Sequence, residues 1–449
     1  MGQLSALALL VVGAFTGPVR GQAADPEFVK RVNAAVDRAA DWLTKRQAAD
    51  GGYGTYHFHS GRDYVAAETA LALLARIAAG ENPFADPITR GFAYLKSHPP
   101  VLTYEVGLTL MAFDARCAPI GERQLLDKMA PAELAKYAFP RVLQPGDAEF
   151  LQPLVDRLAR ERFHECWSYG NAEKQGVATT ADASNTQYAV LGLKAASRLG
   201  LSFDRRLFAD VLEYFLDHQQ PNGPTVRFVD RRNADDGKTK DYARKLEAKA
   251  FAYGYGVSDG PEVCGSRACI GIACIELSLD ELLTKGKGPA AAIGRKRKHD
   301  ALAAIDSALA WLQQNFSVTE NPTDPNASKG AGGPGGGPPN GPPGGPPGRG
   351  GPPNGGPGGA GGPPNGPPGA GYFYYYLYAL ERVGALTSRR WIGEHDWYRE
   401  GADELLKRQN PDGSWPSGGY DDELVNTSFA LLFLRRATLR GSLTITPDH

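Results

Sequence analysis

Apolar residues recur at helical spacing along nearly the whole chain, in segments of two alternating kinds. Segments of the first kind keep one polar face, as residues 38–47 and 403–409 do. Segments of the second kind are apolar on most faces and rich in small residues, as residues 68–74 and 426–432 are. A helix that is apolar on most faces must be surrounded by other helices. The pattern therefore predicts outer and inner helices, and no run of alternating β-branched residues predicts a strand.

The two kinds of segment form six consecutive pairs, each an outer helix followed by an inner helix. The pairs are residues 30–47 with 64–79, 86–97 with 102–115, 148–162 with 183–199, 204–219 with 266–283, 299–316 with 372–386, and 395–408 with 422–437. Repeated hairpins either stack into an open solenoid or close into a ring, and six hairpins favour closure. We therefore predict an all-α fold, an α/α toroid with an inner barrel of six helices and an outer ring of six.

The long connections of this toroid gather on one of its two rims. They join the two helices of a pair, at residues 48–63, 163–182, 220–265, 317–371 and 409–421, whereas most return connections are short. Long loops on a rigid scaffold are where binding sites usually lie. We therefore expect a ligand in the lumen or a protein partner on this loop-bearing rim.

The N-terminal segment differs from the helical pattern. Residues 4–15 form an apolar run of signal-peptide length, followed by small residues at 21–23, although no Lys or Arg precedes the run. A buried N-terminal helix is the alternative interpretation. We predict a signal peptide at 1–23, and hence export to a periplasm or the extracellular space. After the signal peptide, we predict one toroid domain at 24–329 and 372–440 and a tail at 441–449.

A low-complexity insert interrupts the fifth pair. Residues 330–371 hold 21 of the 55 glycines and 14 of the 34 prolines, without glycine strictly at every third position. Such a segment forms neither a core nor a collagen-like helix, so we expect a disordered loop. Because long surface insertions cost little closure entropy, the insert should leave the ring intact.

Charge and cysteine content exclude several classes of protein. The 49 Lys and Arg nearly balance the 50 Asp and Glu, which argues against a nucleic-acid partner held by phosphate contacts. No segment after the N-terminal run is apolar for long enough to span a bilayer, so we expect no transmembrane anchor. The 5 cysteines are odd in number, so at least one is unpaired and the core must hold the fold.

Alignment of the predicted inner helices places one residue of each just before its run of small residues. These positions are Glu68, Glu105, Asn185, Arg267, Tyr374 and Asn426. If they face a shared cavity, they form a polar ring that binds a polar or cationic ligand or supplies an acid and base pair. Alternatively, acidic and Asn side chains in a first helical turn cap free N–H groups and interact favourably with the helix dipole.

The rim loops carry aromatic residues among glycines, including Tyr53, Trp167, Tyr169 and Trp415. Aromatic faces bind sugars, cations or isoprenoid chains, although packing of the loops onto the ring explains most such residues. His57 and His59 place two imidazoles on one side of an extended loop. A zinc site needs a third and a fourth ligand at defined spacing, so we assign no metal. We also expect no cofactor.

The ends of the outer helices repeat a second signature. It is fullest at Gly401-Ala402, Leu405-Leu406, Gln409, Asp412-Gly413 and Trp415, and it recurs at Ala39-Ala40, Leu43, Gln47, Asp50-Gly51 and Tyr53. The signature resembles the Gln-Trp repeat of the prenyltransferase and squalene-oxidase repeat superfamily, which includes squalene-hopene cyclase and the β-subunits of protein prenyltransferases. The resemblance covers residues 30–437 and implies the α/α toroid fold.

The resemblance says less about chemistry, because fold does not imply function. The squalene-cyclase branch is known for an Asp-x-Asp-Asp acid that protonates an alkene. The nearest runs here, at residues 233–236 and 420–423, do not complete that motif. The protein-prenyltransferase branch is expected to bind zinc through Asp, Cys and His, and this chain has no Asp-x-Cys pair.

Three functions are compatible with these observations. We expect an exported toroid that lacks recognisable catalytic motifs and acts as a binding or scaffold protein. The main alternative is an isoprenoid-processing enzyme of the terpenoid-cyclase kind with an atypical acid, for which the candidates are Glu68, Glu105, Asp421 and Asp422. The third is a glycan-active toroid with two rim carboxylates in an open cleft. The ligand would accordingly be an isoprenoid, a lipid or a glycan.

Overall fold

The computed structural model describes residues 25–54, 65–129, 131–134, 136–162, 165–168, 182–233, 239–251, 263–284, 293–323, 372–417 and 422–439. These residues are mostly helical. The outer helices are α1 (Pro26–Arg46), α3 (Asp86–Ser97), α7 (Asp147–Arg160), α9 (Arg206–Asp217), α11 (Arg295–Gln314) and α13 (Trp397–Arg408). The inner helices are α2 (Val65–Ala79), α4 (Thr103–Cys117), α8 (Ala183–Arg198), α10 (Gly265–Thr284), α12 (Phe373–Leu386) and α14 (Glu423–Leu434). Two short helices, α5 (Glu122–Lys128) and α6 (Pro131–Leu134), follow the second pair.

The inner helices close into a ring. Helix α2 packs on α4, the contacts continue through α8, α10, α12 and α14, and α14 packs on α2. Each outer helix contacts one or two of these inner helices from outside. The predicted all-α toroid, with six inner helices inside six outer ones, is therefore confirmed.

Burial follows the two kinds of helix that the sequence pattern indicates. Helix α1 buries one stripe that includes Phe28, Val32, Val36 and Leu43. In α14, by contrast, every residue from 426 to 434 is buried. An amphipathic helix covers a core from outside, whereas a helix buried on every face belongs inside it.

The signature at the ends of the outer helices joins neighbouring outer helices. The Gln409 side-chain amide donates to the carbonyl of Gly413 in its own turn (3.0 Å) and to that of Ala35 in α1 (2.8 Å). Gly413 has φ +98°, and a Cβ there would overlap the carbonyl of Arg38. Only glycine suits this position, because both the left-handed backbone and the close approach exclude a side chain. The contact joins the last hairpin to the first.

The same contact recurs around the ring. The Gln47 amide donates to the carbonyls of Gly51 (2.9 Å) and of Pro87 in α3 (2.8 Å). The Gln219 amide donates to the carbonyl of Ala304 in α11 (2.8 Å), although Gln219 is followed by no aromatic residue at the position that Trp415 holds in the last hairpin. The repeat therefore holds one outer helix to the next.

One loop contradicts the expectation that the chain forms no strands. Strands β1 (Thr225–Asn233) and β2 (Thr239–Glu247) form an antiparallel hairpin between α9 and α10, with the first residue of β1 opposite the last residue of β2. Two shorter strands, β3 (Trp391–Ile392) and β4 (His395–Asp396), pair just before α13. The side chains of β2 are almost all exposed, so no alternation of apolar residues marks it in the sequence.

Several sequence predictions lie outside the described residues, among them the signal peptide, the insert at 330–371 and the tail at 441–449. Within the described part of the chain, no helix combines the length and apolarity needed to cross a lipid bilayer. All five cysteines are buried free thiols.

Candidate functional site

Two candidate carboxylates cap helices at the loop-bearing rim. The Glu105 Oε2 atom accepts hydrogen bonds of 2.8 Å from the backbone N–H groups of Val101 and Leu102. The Asp422 Oδ1 atom accepts one of 2.9 Å from the N–H of Val425. Burial raises the pKa of both carboxyls, and these backbone donors offset part of the rise. Both arrangements favour the capping interpretation over an acid and base pair.

The third candidate carboxylate, Glu68, lies beneath the start of the first rim loop. Its side chain is buried, and a Cβ on Gly54 would overlap its Oε2 atom. The other residues predicted for the rim lie outside the described residues; they are His57, His59, Tyr169 and Asp421. Among the residues that are described, no group of three His, Cys, Asp or Glu side chains could hold a metal ion.

The two asparagines of the predicted ring bond to nearby backbone or to a neighbouring cap. The Asn185 Nδ2 atom donates to Asp182 Oδ1 at 3.1 Å, and the same oxygen accepts the Asn185 backbone N–H at 2.7 Å. The Asn426 Nδ2 atom donates to the carbonyl of Pro416 at 2.9 Å. Arg267 is buried in the first turn of α10. Hydrogen bonds to Asp182 and Pro416 fix the first turns of α8 and α14 at the rim.

The described rim aromatics share one contact, in which the aromatic residue's backbone N–H donates to a threonine hydroxyl on the following inner helix. The pairs are Tyr53 with Thr69 (2.9 Å), Trp167 with Thr186 (3.0 Å) and Trp415 with Thr427 (2.9 Å).

Their side chains are also bonded within the hairpin. The indole N–H of Trp167 donates to the carbonyl of Leu158 (2.8 Å), and that of Trp415 donates to the carbonyl of Leu405 (2.9 Å). The phenol of Tyr53 accepts from Arg76 Nη1 at 2.5 Å. All three rings are buried. The geometry favours packing of the loops onto the ring over a surface for a ligand.

Tyr375 is an aromatic residue of α12 that faces the lumen. Tyr374 lies toward α13 instead: burial raises the pKa of Tyr374 to about 12, and the charge of Arg408 on α13 offsets part of the rise. The hydroxyl of Tyr375 donates to Gln187 Oε1 on α8 at 3.1 Å. Because α10 separates α8 from α12 in the ring, this bond crosses the lumen.

A set of side chains from three inner helices meets there, and we call it the luminal cluster. Its members are Gln187, Tyr188, Tyr375, Tyr378, Arg382 and Phe429. Ring centroids are 6.3 Å apart for Tyr188 and Tyr375, 5.8 Å for Tyr375 and Phe429, and 5.5 Å for Tyr378 and Phe429. These separations are those of interacting aromatic pairs, so the rings form one connected layer across the lumen.

Arg382 lies within this aromatic layer. Its guanidinium carbon is 3.9 Å from the ring centroid of Tyr378 and 5.9 Å from that of Tyr188. The residue is 0% exposed. Burial raises the pKa of Tyr378 to about 12, an increase that the Arg382 charge partly offsets. An arginine does not deprotonate in proteins, so the cluster contains a permanent, desolvated positive charge.

Several polar side-chain atoms of the luminal cluster lack a hydrogen-bond partner in the described part of the chain. Nε, Nη1 and Nη2 of Arg382 and Nε2 of Gln187 have no hydrogen-bond partner among the described residues. All four are donors. Buried donors are nearly always paired in native proteins, so a group of unpaired donors at one place calls for an explanation. A bound acceptor, whether a ligand or ordered water, would supply one.

The luminal cluster is not among the sites predicted from the sequence. A signal was present, because Glu381 and Arg382 are charged residues on a helix that is otherwise apolar on most faces. Charged side chains are seldom buried without a partner, so their position on an inner helix marks them. The alignment of first helical turns drew attention to the rim instead.

No protein-family model matches the chain. No curated protein matches it either. Among solved structures, the chain is similar to a type II terpene cyclase from Scytonema in complex with its substrate, geranylgeranyl dihydroxybenzoate. The two chains are 12% identical with a TM-score of 0.40, and the similarity covers 92% of this chain and 99% of the cyclase. At this level the likeness assigns no activity and no ligand to this chain.

Proposed function

We propose that the protein is a binding protein that holds a ligand in the lumen of the toroid. The observation that supports the proposal most strongly is Arg382, a wholly buried cation whose three nitrogens have no hydrogen-bond partner among the described residues. Removing such a charge from water costs several kcal/mol, so it is retained at a cost to stability. A ligand that supplies the missing acceptor explains why.

The carboxylates weigh against the main alternative, a terpenoid cyclase with an atypical acid. An alkene is a very weak base, so its protonation requires an unusually strong acid. Burial raises the pKa of Glu105 and of Asp422, which makes both of them weaker acids. Glu68 and Asp421 remain the candidates of the alternative, of which Asp421 lies outside the described residues.

The aromatic side chains weigh against a glycan-active toroid. Glycan sites present exposed aromatic faces beside paired carboxylates in an open cleft. The described rings of the rim and of the luminal cluster are buried, with Tyr375 no more than 8% exposed. Closely spaced buried rings suit an apolar ligand body, as in an isoprenoid or another lipid. We also propose that the protein is exported and that a protein partner binds the loop-bearing rim.

The experiment is a recovery assay. The full chain is incubated with a lipid extract of its own cells, re-isolated by gel filtration, denatured, and the released molecules are identified by mass spectrometry. The proposal predicts that one compound is enriched and recovered unchanged. A new product, formed by the wild type and lost in Glu68→Gln or in Asp421→Asn, would establish the enzyme alternative. No enrichment of any compound would contradict luminal binding.

A further inference from the structure

We infer that the luminal cluster binds the anionic head group of an amphipathic ligand, with Arg382 as the residue that pairs with its charge. The inference rests on the proposed luminal binding function and specifies the chemical class of the ligand. It depends on three features of the cluster: the lack of a hydrogen-bonded counter-ion, the type of the unpaired polar atoms, and the aromatic surroundings.

The nearest carboxylate in the sequence does not pair with Arg382. Glu381 Oε1 accepts the backbone N–H of Thr438 (3.1 Å), and Glu381 Oε2 accepts the Thr438 hydroxyl (2.6 Å). Glu381 therefore bonds to the segment after α14 and forms no hydrogen bond with Arg382, although its charge acts on the guanidinium from the preceding position of α12. No other carboxylate among the described residues forms an ion pair with Arg382.

Two other buried cations of the chain, Arg76 and Lys194, have counter-ions. The wholly buried Arg76 bonds both oxygens of Glu81, at 2.5 and 2.6 Å. Lys194 bonds Glu281 at 2.7 Å deep between α8 and α10. A buried cation is stabilised when it is paired and hydrogen-bonded, and these side chains show that the fold supplies such partners elsewhere.

The unpaired atoms specify what kind of group is missing. All of them are N–H donors, three on Arg382 and one on Gln187. The planar fork of a guanidinium matches the oxygens of a carboxylate or a phosphate, which accept two parallel hydrogen bonds. A neutral hydroxyl oxygen would accept from at most two of the four donors and leave the charge uncompensated. The donors therefore favour an oxyanion.

The surroundings specify the rest of the ligand. The groups beside the guanidinium are the rings of Tyr378 and Tyr188, and Tyr375 and Phe429 extend the same layer. Aromatic rings provide a large apolar contact area and little hydrogen bonding. A free inorganic anion would gain the charge pair and none of this area. An oxyanion attached to an apolar chain satisfies both.

The test is titration calorimetry of the full chain with three probes that share one chain length: dodecanoate, dodecyl phosphate and dodecanol. The two anions are kept below their critical micelle concentrations and dodecanol below its solubility limit. We expect one molecule to bind per chain, and at least one of the two anions to bind about tenfold more tightly than dodecanol. Whichever anion binds more tightly identifies the head group as carboxylate or phosphate. Inorganic phosphate, added alone, should not bind.

Arg382→Met tests the assigned residue, because methionine keeps much of the length of the side chain and removes its charge. It should weaken binding of the preferred anion about tenfold or more and leave dodecanol unchanged. The matched control is Arg408→Met. Arg408 also stacks on a ring, that of Phe373 at 4.1 Å, but it already has Glu404 as its counter-ion. This control should leave binding of every probe unchanged.

The outcomes separate the two proposals. If dodecanol binds as tightly as both anions, the lumen binds apolar molecules and only the anion inference fails. If no probe binds and the recovery assay also enriches nothing, the binding function itself fails. If Arg382→Met does not fold, the comparison of anions with dodecanol on the wild-type chain still decides the question.

Discussion

The guanidinium carbon of Arg382 lies 3.9 Å from the ring centroid of Tyr378, which precedes it by one turn on α12. An aromatic face stabilises a desolvated cation by about 2 kcal/mol. Burying an ion costs several kcal/mol even after the protein relaxes. The ring therefore offsets only part of the cost, and the ligand-free protein is less stable than an apolar residue at this position would make it.

The first prediction follows because burying the Arg382 charge costs more free energy than the Tyr378 ring offsets. Arg382→Met should raise the free energy of unfolding of the ligand-free chain by roughly 1–4 kcal/mol, because replacing buried charge by apolar packing is often stabilising. Urea denaturation followed by circular dichroism measures it. A loss of stability of similar size would mean that Arg382 supports the fold and has no need of a ligand.

Arg76→Met is the matched control for this measurement. Arg76 is equally buried, but its guanidinium bonds Glu81, Gln47 and Tyr53. Its removal should lower the free energy of unfolding by about 3 kcal/mol, because the partners remain buried or half-buried without their donor. If the two substitutions change the free energy of unfolding in opposite directions, Arg382 is retained for a ligand and Arg76 for the fold.

The second prediction concerns closure of the ring. Gln409→Ala removes the bonds from the last hairpin to Gly413 and to Ala35 of the first. It should lower the free energy of unfolding by about 1–3 kcal/mol, because two carbonyls lose their donor. Gln314→Ala, at an exposed position on α11, should change it by less than about 0.5 kcal/mol. Equal effects would mean that the repeated glutamine contact does not hold the ring together.

The third prediction separates backbone strain from steric overlap. Gly413 and Gly80 both have left-handed backbone, with φ +98° and +107°, but a Cβ on Gly80 would meet nothing within 4 Å. Gly80→Ala should cost about 1–2 kcal/mol of stability from the backbone alone. Gly413→Ala should cost clearly more, because its Cβ would also overlap Arg38 of α1. Similar losses in thermal denaturation would contradict the close approach of these outer helices.

The helical hairpins were predictable from sequence because amphipathic and wholly apolar helices differ in pattern. Val32 belongs to the single apolar stripe of an outer helix, whereas Phe429 belongs to an inner helix that is apolar on most faces. The β1 and β2 hairpin was not, because side chains such as Tyr242 are exposed and leave no apolar alternation. The contact made by Gln219 also escaped notice, since the surrounding sequence lacks the full signature.

The candidate site was predicted less well than the fold. Residue type and position make Glu105 and Asp422 candidates for a site, yet the same features describe a helix cap, and backbone geometry is needed to tell the two apart. The luminal cluster depends on contacts between α8 and α12, whose residues Gln187 and Tyr375 are distant in sequence. No periodicity within one helix shows which residue it faces across the lumen.

The fourth prediction is a pH dependence that arises from Glu276. Burial raises the pKa of this carboxyl to about 8, with Arg389 offsetting part of the rise. The raised pKa means that the folded state disfavours the ionised form, so stability should fall as the pH rises from the ordinary value near 4.5 to about 8. Glu276→Gln should remove that fall and become relatively more stable by more than about 1 kcal/mol at the upper end.

Urea denaturation between these two pH values measures the effect of Glu276→Gln. The control is Glu149→Gln, which removes an exposed carboxylate from α7. If the stability curves of the wild type and Glu276→Gln stay parallel over the whole range, Glu276 is not the source of the dependence.

The most direct test of luminal binding is native mass spectrometry of the wild type and of Arg382→Met. Both proteins are produced in the organism that makes the wild type and are purified gently. We predict that the wild-type chain carries one amphipathic anion that is released on denaturation, and that Arg382→Met, although folded, does not retain it. The same bound molecule in both proteins, or a bare wild-type chain that also binds none of the probes, would contradict the assignment of Arg382 as the residue that pairs with a ligand.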